Sequence, residues 1–482
     1  MTDAPRVASR TRPRPSAPGA ADDRPTDDLT AVLDDTRSHR STIGCIVLAS
    51  DRASSITDAI AALLTQTRVP DVIHVVVGDA SDATVEIASD LSGPHELHTE
   101  LGTQFTEVFV HDIGAEPGGR AGALNYGYFL VEGCDYLLSV DGDAVAHPRA
   151  VERLEEEVRS DTRIGGVSAI CAVADGRVDG PMARFLLAGQ RAQGARSALQ
   201  NLSRRNTAVL GGPFSIFSVA ALRNVMGQTR RTTPWAEDAD AEGLLLSLHL
   251  RNAGYLTRIS PVARVAVPGI TTLPAYTAHE VRRIAGGIDL LSAGQRGDPN
   301  AQPLHPTLRL LWSENAGLLA GLFVRVAFLV LSVAALSTGA VILSPWWLVP
   351  PVVTVLSNLR LALAMRSADH TDVLFAALLI PAEAFRWVRI GCAARSWCRR
   401  LMRTAPHDRA ARGTADGGLG RWALMAALAA AVVALVAGWM LSAPTVQTAV
   451  LSVGWSVVAV IAALQTLTMF SRLVRRTEDV AV

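Results

Sequence analysis

Tyr136-Leu137-Leu138-Ser139-Val140-Asp141-Gly142-Asp143 is the stretch whose reading decides the fold. Tyr136 to Val140 is an apolar run too short for a stable helix, and it stops at a carboxylate, so it reads as a buried strand. Three similar runs precede it: Ile43 to Leu48, Val72 to Val77 and Thr106 to His111. Between them lie segments with helical spacing. Ser55 to Gln66 places Ile56, Ile60, Leu63 and Leu64 on one face, and Asp82–Leu91 and Ala121–Glu132 follow the same pattern. Strands alternating with helices predict an α/β domain with a parallel sheet covered on both faces. Such sheets bind ligands beyond the carboxyl ends of their strands. Asp51, Asp79 and Asp141 each follow an expected strand, so three carboxylates should converge on one crevice.

The chain has 482 residues, enough for two or three units. Lys plus Arg and Asp plus Glu balance at 45 each, which gives no general attraction to nucleic acid. The balance hides an asymmetry, because the acidic residues lie mostly before position 300 and the last third is apolar with mainly Arg charges. Residues 1–41, rich in Pro, Arg, Asp and Ala without an apolar signal core, read as a disordered tail. The cysteines Cys45, Cys134, Cys171, Cys392 and Cys398 show neither CxxC pairing nor ligand spacing, as expected of free thiols in a reducing compartment.

Four apolar stretches are long enough to cross a bilayer: Leu318–Val341, Pro345–Ala364, Trp422–Leu441 and Val446–Phe470. The first is interrupted only by Arg325. Val373–Pro381 is too short to span and runs into Arg386, Arg389, Arg395, Arg399, Arg400 and Arg403 interleaved with Phe385, Trp387 and Trp397. That mixture predicts a helix lying in the headgroup plane over 373–403. The Arg bias of this cluster and of Arg472, Arg475 and Arg476 places both on the cytoplasmic side of the cell's inner membrane. The expected organisation is a tail over 1–41, a cytoplasmic catalytic domain over 42–272, an interfacial segment over 273–310 and a multi-pass region over 311–482.

Two carboxylates one residue apart at a strand end, Asp141 and Asp143, can hold Mg²⁺ or Mn²⁺ while the ion bridges a diphosphate. Gly118-Gly119-Arg120-Ala121-Gly122-Ala123-Leu124-Asn125 opens a helix whose backbone N–H groups and cation can receive phosphate oxygens. Trp235-Ala236-Glu237-Asp238 precedes the amphipathic segment Ala241–Asn252; its carboxylates can cap the helix or act as a general base.

Taken in order, these motifs resemble the family 2 inverting glycosyltransferases, in particular the membrane-integrated branch with cellulose, chitin, hyaluronan and poly-N-acetylglucosamine synthases. Gly211-Gly212-Pro213-Phe214-Ser215-Ile216-Phe217 and Arg251-Asn252-Ala253-Gly254-Tyr255 add to the resemblance, which runs over roughly residues 42–470. It implies a GT-A-type, Rossmann-like nucleotide-sugar domain followed by a transmembrane bundle. It also implies a donor that is a nucleotide sugar, by default a UDP-sugar, and a divalent metal at Asp141 and Asp143. Asp51 and Asp79 would contact the nucleoside, Arg120 the diphosphate, and Asp238, with Glu237 beside it, would be the catalytic base. The polymer-forming members carry Q-x-x-R-W where this chain has His279-Glu280-Val281-Arg282-Arg283. Arg282 keeps the basic position expected to meet the diphosphate, whereas Arg283 replaces the aromatic floor of the acceptor site. Transfer of one or a few sugars to a lipid-linked or glycan acceptor at the inner leaflet is therefore expected ahead of processive synthesis with extrusion. A transporter or membrane scaffold with an inactive domain is the reading from another class.

Overall fold

The computed structural model describes residues 40–115, 118–174, 180–203, 206–237, 239, 241–290, 306–339, 345–365, 369–402, 434 and 436–474. The chain divides into two compact units, Met1–Ser41 and Thr42–Val482, and every element below belongs to the second. The expected tail over 1–39 lies outside the described residues.

The unit opens as the apolar runs require: β1 (Ile43–Ala49), α1 (Ile56–Leu64), β2 (Val72–Gly78), α2 (Thr84–Ser89), β3 (Gly93–Thr99) and β4 (Gly102–Gly114). Then follow α3 (Gly119–Val131), β5 (Tyr136–Asp141), β6 (Val145–Ala146), α4 (Ala150–Arg159) and β7 (Ile164–Val173). The second half holds α5 (Pro181–Ser203), β8 (Phe214–Ser218), α6 (Val219–Thr229), α7 (Glu242–Asn252) and β9 (Leu256–Val267). All nine strands form one sheet in the order β3-β4-β2-β1-β5-β8-β7-β9-β6.

The sheet is mixed, which corrects the parallel sheet expected from the sequence. β4, β2, β1 and β5 run parallel, with Leu48 opposite Asp141 and Ala49 opposite Val77. β3 returns antiparallel on β4, and β8 is inserted antiparallel between β5 and β7. β3 escaped the sequence reading because an edge strand needs no apolar face. Its residues, Gly-Pro-His-Glu-Leu-His-Thr, alternate between exposed and half-buried, and Pro94 sits where an edge tolerates a missing N–H.

The central strands are apolar throughout because both faces are covered. On one face Ile43, Cys45 and Val47 pack with Ile56, Ile60 and Leu154 from α1 and α4. On the other Ile46 and Leu48 meet Tyr128, Leu222 and Leu246 from α3, α6 and α7. Glycine brings α3 close to the sheet: a Cβ at Gly127 would lie 2.6 Å from Ile46, and one at Gly44 would lie 2.5 Å from Val131.

Beyond the sheet come α8 (Leu273–Leu290), α9 (Pro306–Ser337), a single 3₁₀ turn (Pro345–Leu348) leading into α10 (Val349–Ala364), α11 (His370–Ala377), α12 (Leu379–Met402) and α13 (Pro444–Val474). Three stretches of these helices are long and apolar enough to cross a membrane: Ala316–Ser337, Pro345–Ala364 and Pro444–Phe470. They present outward rows such as Val326, Val330 and Val333 on α9 and Val453, Val457 and Leu464 on α13. The fourth expected span, Trp422–Leu441, lies outside the described residues over 422–433, while 436–441 are helical. Within the expected interfacial segment 273–310, α8 fills the first part, 291–305 lie outside the described residues, and α9 already begins at Pro306. Phe328, Trp347 and Trp455 meet edge-on with ring centroids 5.2–5.5 Å apart, and Leu331 seats against Gly454. Arg325, the one charge in its apolar stretch, pairs with Glu383 of α12 at 2.9 Å, which fits the rule that an ionised group on a span needs a partner.

α8 lies along α12 through Val281, Ile284, Ile288, Cys392 and Ala393. At the centre of this contact Glu280, 2% exposed, meets Arg283 at 2.8 Å and Arg389 at 3.4 Å. Burial alone would raise the Glu280 pKa; Arg283, then Arg389 and Gln193, outweigh it and hold the carboxyl down at about 2. Because the folded value lies below the ordinary 4.5, the pairing stabilises the fold fully above that pH and is lost as pH falls from about 4.5 toward 2. Glu280→Gln leaves two guanidinium groups without their carboxylate and, with Arg283 half in solvent, should cost about 2–3 kcal/mol at pH 7. Thermal melts of the purified protein between pH 7 and pH 3 check this. The variant should melt lower at neutral pH and should lose less stability on acidification than the parent.

Candidate active site

The site grows from the carboxyl edge of β2, β1 and β5. Each strand ends in a turn that carries an acidic residue, and two of those residues take backbone conformations that side chains rarely adopt. Asp51 has φ +49° and Asp79 has φ +51°, a region that Asp tolerates better than most residues. The turns are tied to one another. Asp51 Oδ1 accepts hydrogen bonds from Ser81 N at 2.7 Å and Ser81 Oγ at 3.0 Å, and Arg52 N donates to Thr84 Oγ1 at 2.7 Å. Gly142 N donates to Leu48 O at 2.7 Å, and Ser55 Oγ donates to Gly142 O at 3.2 Å. Asp51 and Asp79 remain exposed above this scaffold.

Asp141 and Asp143 stand where the sequence placed them, and the structure adds a cation to each. Arg120 lies 2.6 Å from Asp141 Oδ1 and 3.2 Å from Glu242, the first residue of α7. Arg52, from the turn after β1, pairs with Asp143 at 3.1 Å. Burial pushes the Asp143 carboxyl above its ordinary range, Arg52 pulls it down, and the charge of Asp141 adds to the rise. Asp141 Oδ1 is buried and receives no hydrogen bond of good geometry among the described residues, although Arg120 is close. An acceptor in that state, beside a second carboxylate whose charge burial disfavours, has the chemistry of a divalent-cation ligand pair. The residues therefore fit Mg²⁺ or Mn²⁺, ions that take one or two protein carboxylates and leave the other positions to phosphate and water. Among the described residues no cluster of three or more His, Cys, Asp or Glu side chains supplies a fuller protein cage.

The glycine-rich segment does more than open a helix. Asn125 donates from Nδ2 to Trp235 O and to Glu237 Oε1, both at 2.9 Å, and its Oδ1 accepts from Trp235 N at 3.0 Å. Trp235 is 2% exposed and stands edge-on to Phe217. One side chain of α3 thus fixes the Trp235–Glu237 segment. Gly118 permits the contact, since a Cβ there would fall 2.8 Å from Glu237 Cγ. Gly211, at φ +105°, and Gly243 meet backbone to backbone, with no room for a side chain on either. The loop before β8 is thereby seated on the first turn of α7.

The structure brings Asp51, Asp79, Arg120, Asp141, Asp143 and Glu237 to one edge of the sheet. Asp238 lies outside the described residues. Arg282 sits exposed on α8, next to the Glu280 ion pairs. Arg52, Asn125 and Glu242 were not singled out in the sequence. Asn125 closes the glycine-rich motif and was within reach of the reading, whereas Arg52 and Glu242 carry no local pattern and acquire meaning only from their partners.

Residues 45–226 match Glycosyl transferase family 2. No curated protein matches the chain. Solved structures that resemble it include S. aureus TarS 1–349, 13% identical with TM-score 0.34, over 74% of this chain and 92% of that one. Another is the mannosyltransferase PcManGT from Pyrobaculum calidifontis in complex with GDP-Man and Mn²⁺, 15% identical with TM-score 0.38, over 91% and 94%. A third is glucosyl-3-phosphoglycerate synthase from Mycobacterium tuberculosis with Mg²⁺ and UDP, 18% identical with TM-score 0.33, over 59% and 86%. The stretch matched by the Glycosyl transferase family 2 model runs from β1 into α6 and holds Asp51, Asp79, Arg120, Asp141 and Asp143.

Proposed function

We propose that the chain is a membrane-bound, metal-dependent, inverting glycosyltransferase that moves a sugar from a nucleotide-sugar donor to a lipid-linked or glycan acceptor at the cytoplasmic face of the inner membrane. The observation that carries this reading is the Asp141–Asp143 pair, held by Arg120 and Arg52 at the carboxyl edge of the sheet inside a family 2 domain. Both carboxylates are balanced by arginine in the protein alone; Asp141 and Asp143 would hold the divalent cation, and Arg120, exchanged from Asp141 and Glu242, would pair with the donor phosphates. When bound, Mg²⁺ or Mn²⁺ would neutralise charge developing on the leaving nucleotide. Asp51 and Asp79, exposed on the neighbouring turns, hold base and ribose, and a UDP-sugar is the default donor. Asp238 takes the proton of the acceptor hydroxyl as its oxygen attacks the anomeric carbon. The bond to the nucleotide breaks in the same displacement, with inversion and no covalent intermediate. Glu237, fixed by Asn125, keeps the segment bearing Asp238 against the donor crevice.

Arg283 favours one or a few transfers over polymer synthesis. It occupies the position of an acceptor-stacking aromatic in the polymer-forming enzymes and is engaged with Glu280. The bundle around α9, α10 and α13 anchors the domain at the membrane, with Arg282 and the Arg-rich α12 on the cytoplasmic side.

Membranes containing the chain, incubated with a panel of labelled nucleotide sugars and Mn²⁺, should transfer label from one donor, with products carrying one or a few added sugars by mass. A chelator should abolish transfer, and Asp141→Asn or Asp143→Asn should do the same. Asp238→Asn should lower kcat by roughly 10²–10⁴-fold while donor binding persists. No turnover with any donor, or full activity in Asp238→Asn, would sink the proposal.

Asn125→Ala removes three hydrogen bonds to the Trp235–Glu237 segment without touching the expected donor ligands. Its kcat should fall by an order of magnitude or more, with donor affinity changed less than threefold. Equal loss in both would mean that Asn125 shapes the donor pocket itself.

A further inference from the structure

A cleft lies where α5 of the sheet domain meets the helices that follow the sheet. Four helices wall it: α5 from the sheet domain, the last turns of α10, and α11 and α12. Its water-accessible volume is about 40 Å³, room for a few water molecules, and it is open on one side. Its apolar wall is formed by residues such as Leu361, Ala362, Phe375 and Phe385. Its polar wall carries three arginines, Arg196, Arg386 and Arg389, and one carboxylate, Asp372. That carboxylate is 2% exposed and already takes Arg191 at 3.2 Å. The arginines are positioned from outside or across the cleft: Arg386 by Glu383 at 2.7 Å, Arg389 by Glu280 at 3.4 Å, and Arg196 by the neutral Asn358 at 3.0 Å.

The depth of the cleft follows from α10. Asn358, Leu361, Ala362 and Met365 lie at the end of the apolar stretch Pro345–Ala364, so the cleft opens where a span leaves hydrocarbon for the headgroup layer. α12, with its alternating arginines and aromatics, lies at the same level. Arginine donors match phosphate oxygens in number and direction, and at this depth they act in a medium less screening than water. The leucine and phenylalanine wall matches an acyl or alkyl chain leaving the same phosphate. We propose that this cleft binds the phosphate headgroup of a lipid, with its first carbons on the apolar wall, and thereby locks the sheet domain to the membrane helices. Both sides of that junction contribute: Arg196 comes from the domain, and Arg386 and Arg389 come from α12. Its test reads lipid binding and not sugar transfer, so its failure and the failure of the transferase reading are distinguishable.

The full-length protein in neutral detergent tests it, with binding read by native mass spectrometry. The probes are phosphatidic acid, phosphatidylcholine of the same chain length, and inorganic phosphate. Phosphatidic acid should bind at least tenfold more tightly than phosphatidylcholine, and inorganic phosphate should not displace it at equal concentration. Asn358→Asp keeps the acceptor for Arg196 but adds a carboxylate to the cleft; Arg196→Gln removes one cation. Each should weaken phosphatidic acid binding at least tenfold. Melting temperature reports the fold, and a variant of unchanged melting temperature that binds as tightly as the parent overturns the proposal. Equal binding of the two lipids also overturns it, as does displacement by inorganic phosphate, which would make the cleft a site for free anions. These wild-type comparisons decide the matter even if both variants unfold.

Discussion

Two carboxylates held two positions apart at the end of a buried strand repel each other, and much of the sheet domain is arranged around keeping them there. Asp141 and Asp143 sit at the edge of β5 because β1 and β2 flank it in parallel and end at the same level. The turns that follow those strands are cross-linked by Ser55, Ser81 and Thr84. Arg52 and Arg120 supply the two positive charges that make the pair tolerable. Each comes from a different turn, so assembling the pair requires β1, α3 and β5 to be in register. The carboxyl edge of the sheet is thus held together partly by these two ion pairs.

The local layers of this arrangement were legible in the sequence. The apolar runs at Ile43, Val72 and Tyr136 became β1, β2 and β5 within a residue or two, and the periodicity after Ser55 and Ala121 became α1 and α3. Period and composition are local signals, and buried parallel strands carry strong ones. What failed was pairing. Gly211–Phe217 entered the sequence reading only as a motif, and nothing in Phe214–Ser218 says that it forms a strand running antiparallel beside β5. β3 has no apolar face, so its existence depends on β4 being there to accept it.

The same division runs through the site. Asp141, Asp143 and Arg120 lie in motifs with a turn, a strand end and a glycine loop to mark them. Glu242 looked like an ordinary first-turn acid on α7, favourable there through the helix dipole alone. Its ion pair with Arg120 spans more than a hundred residues of chain and has no sequence signature. Asn125 is the intermediate case. It sat in a quoted motif as a final letter, and only the three hydrogen bonds to Trp235 and Glu237 show that the glycine loop and the Glu-Asp segment are one mechanical unit.

The altered stretch His279 to Arg283 gains a physical meaning from its packing. In the sequence, Arg283 was notable for the aromatic it replaced, and Glu280 was not singled out at all. In the fold Glu280 is the buried member, meeting Arg283 on its own helix and Arg389 on α12. An aromatic at 283 would leave Glu280 with a single, longer ion pair in a site that is almost fully buried, a costly arrangement. This chain uses the position to fasten α8 to α12, and the Arg-lined cleft, which shares Gln193 and Arg389 with the Glu280 contacts, extends the same junction toward α5. At this junction charge does the joining: one buried carboxylate holds a guanidinium from each of two helices.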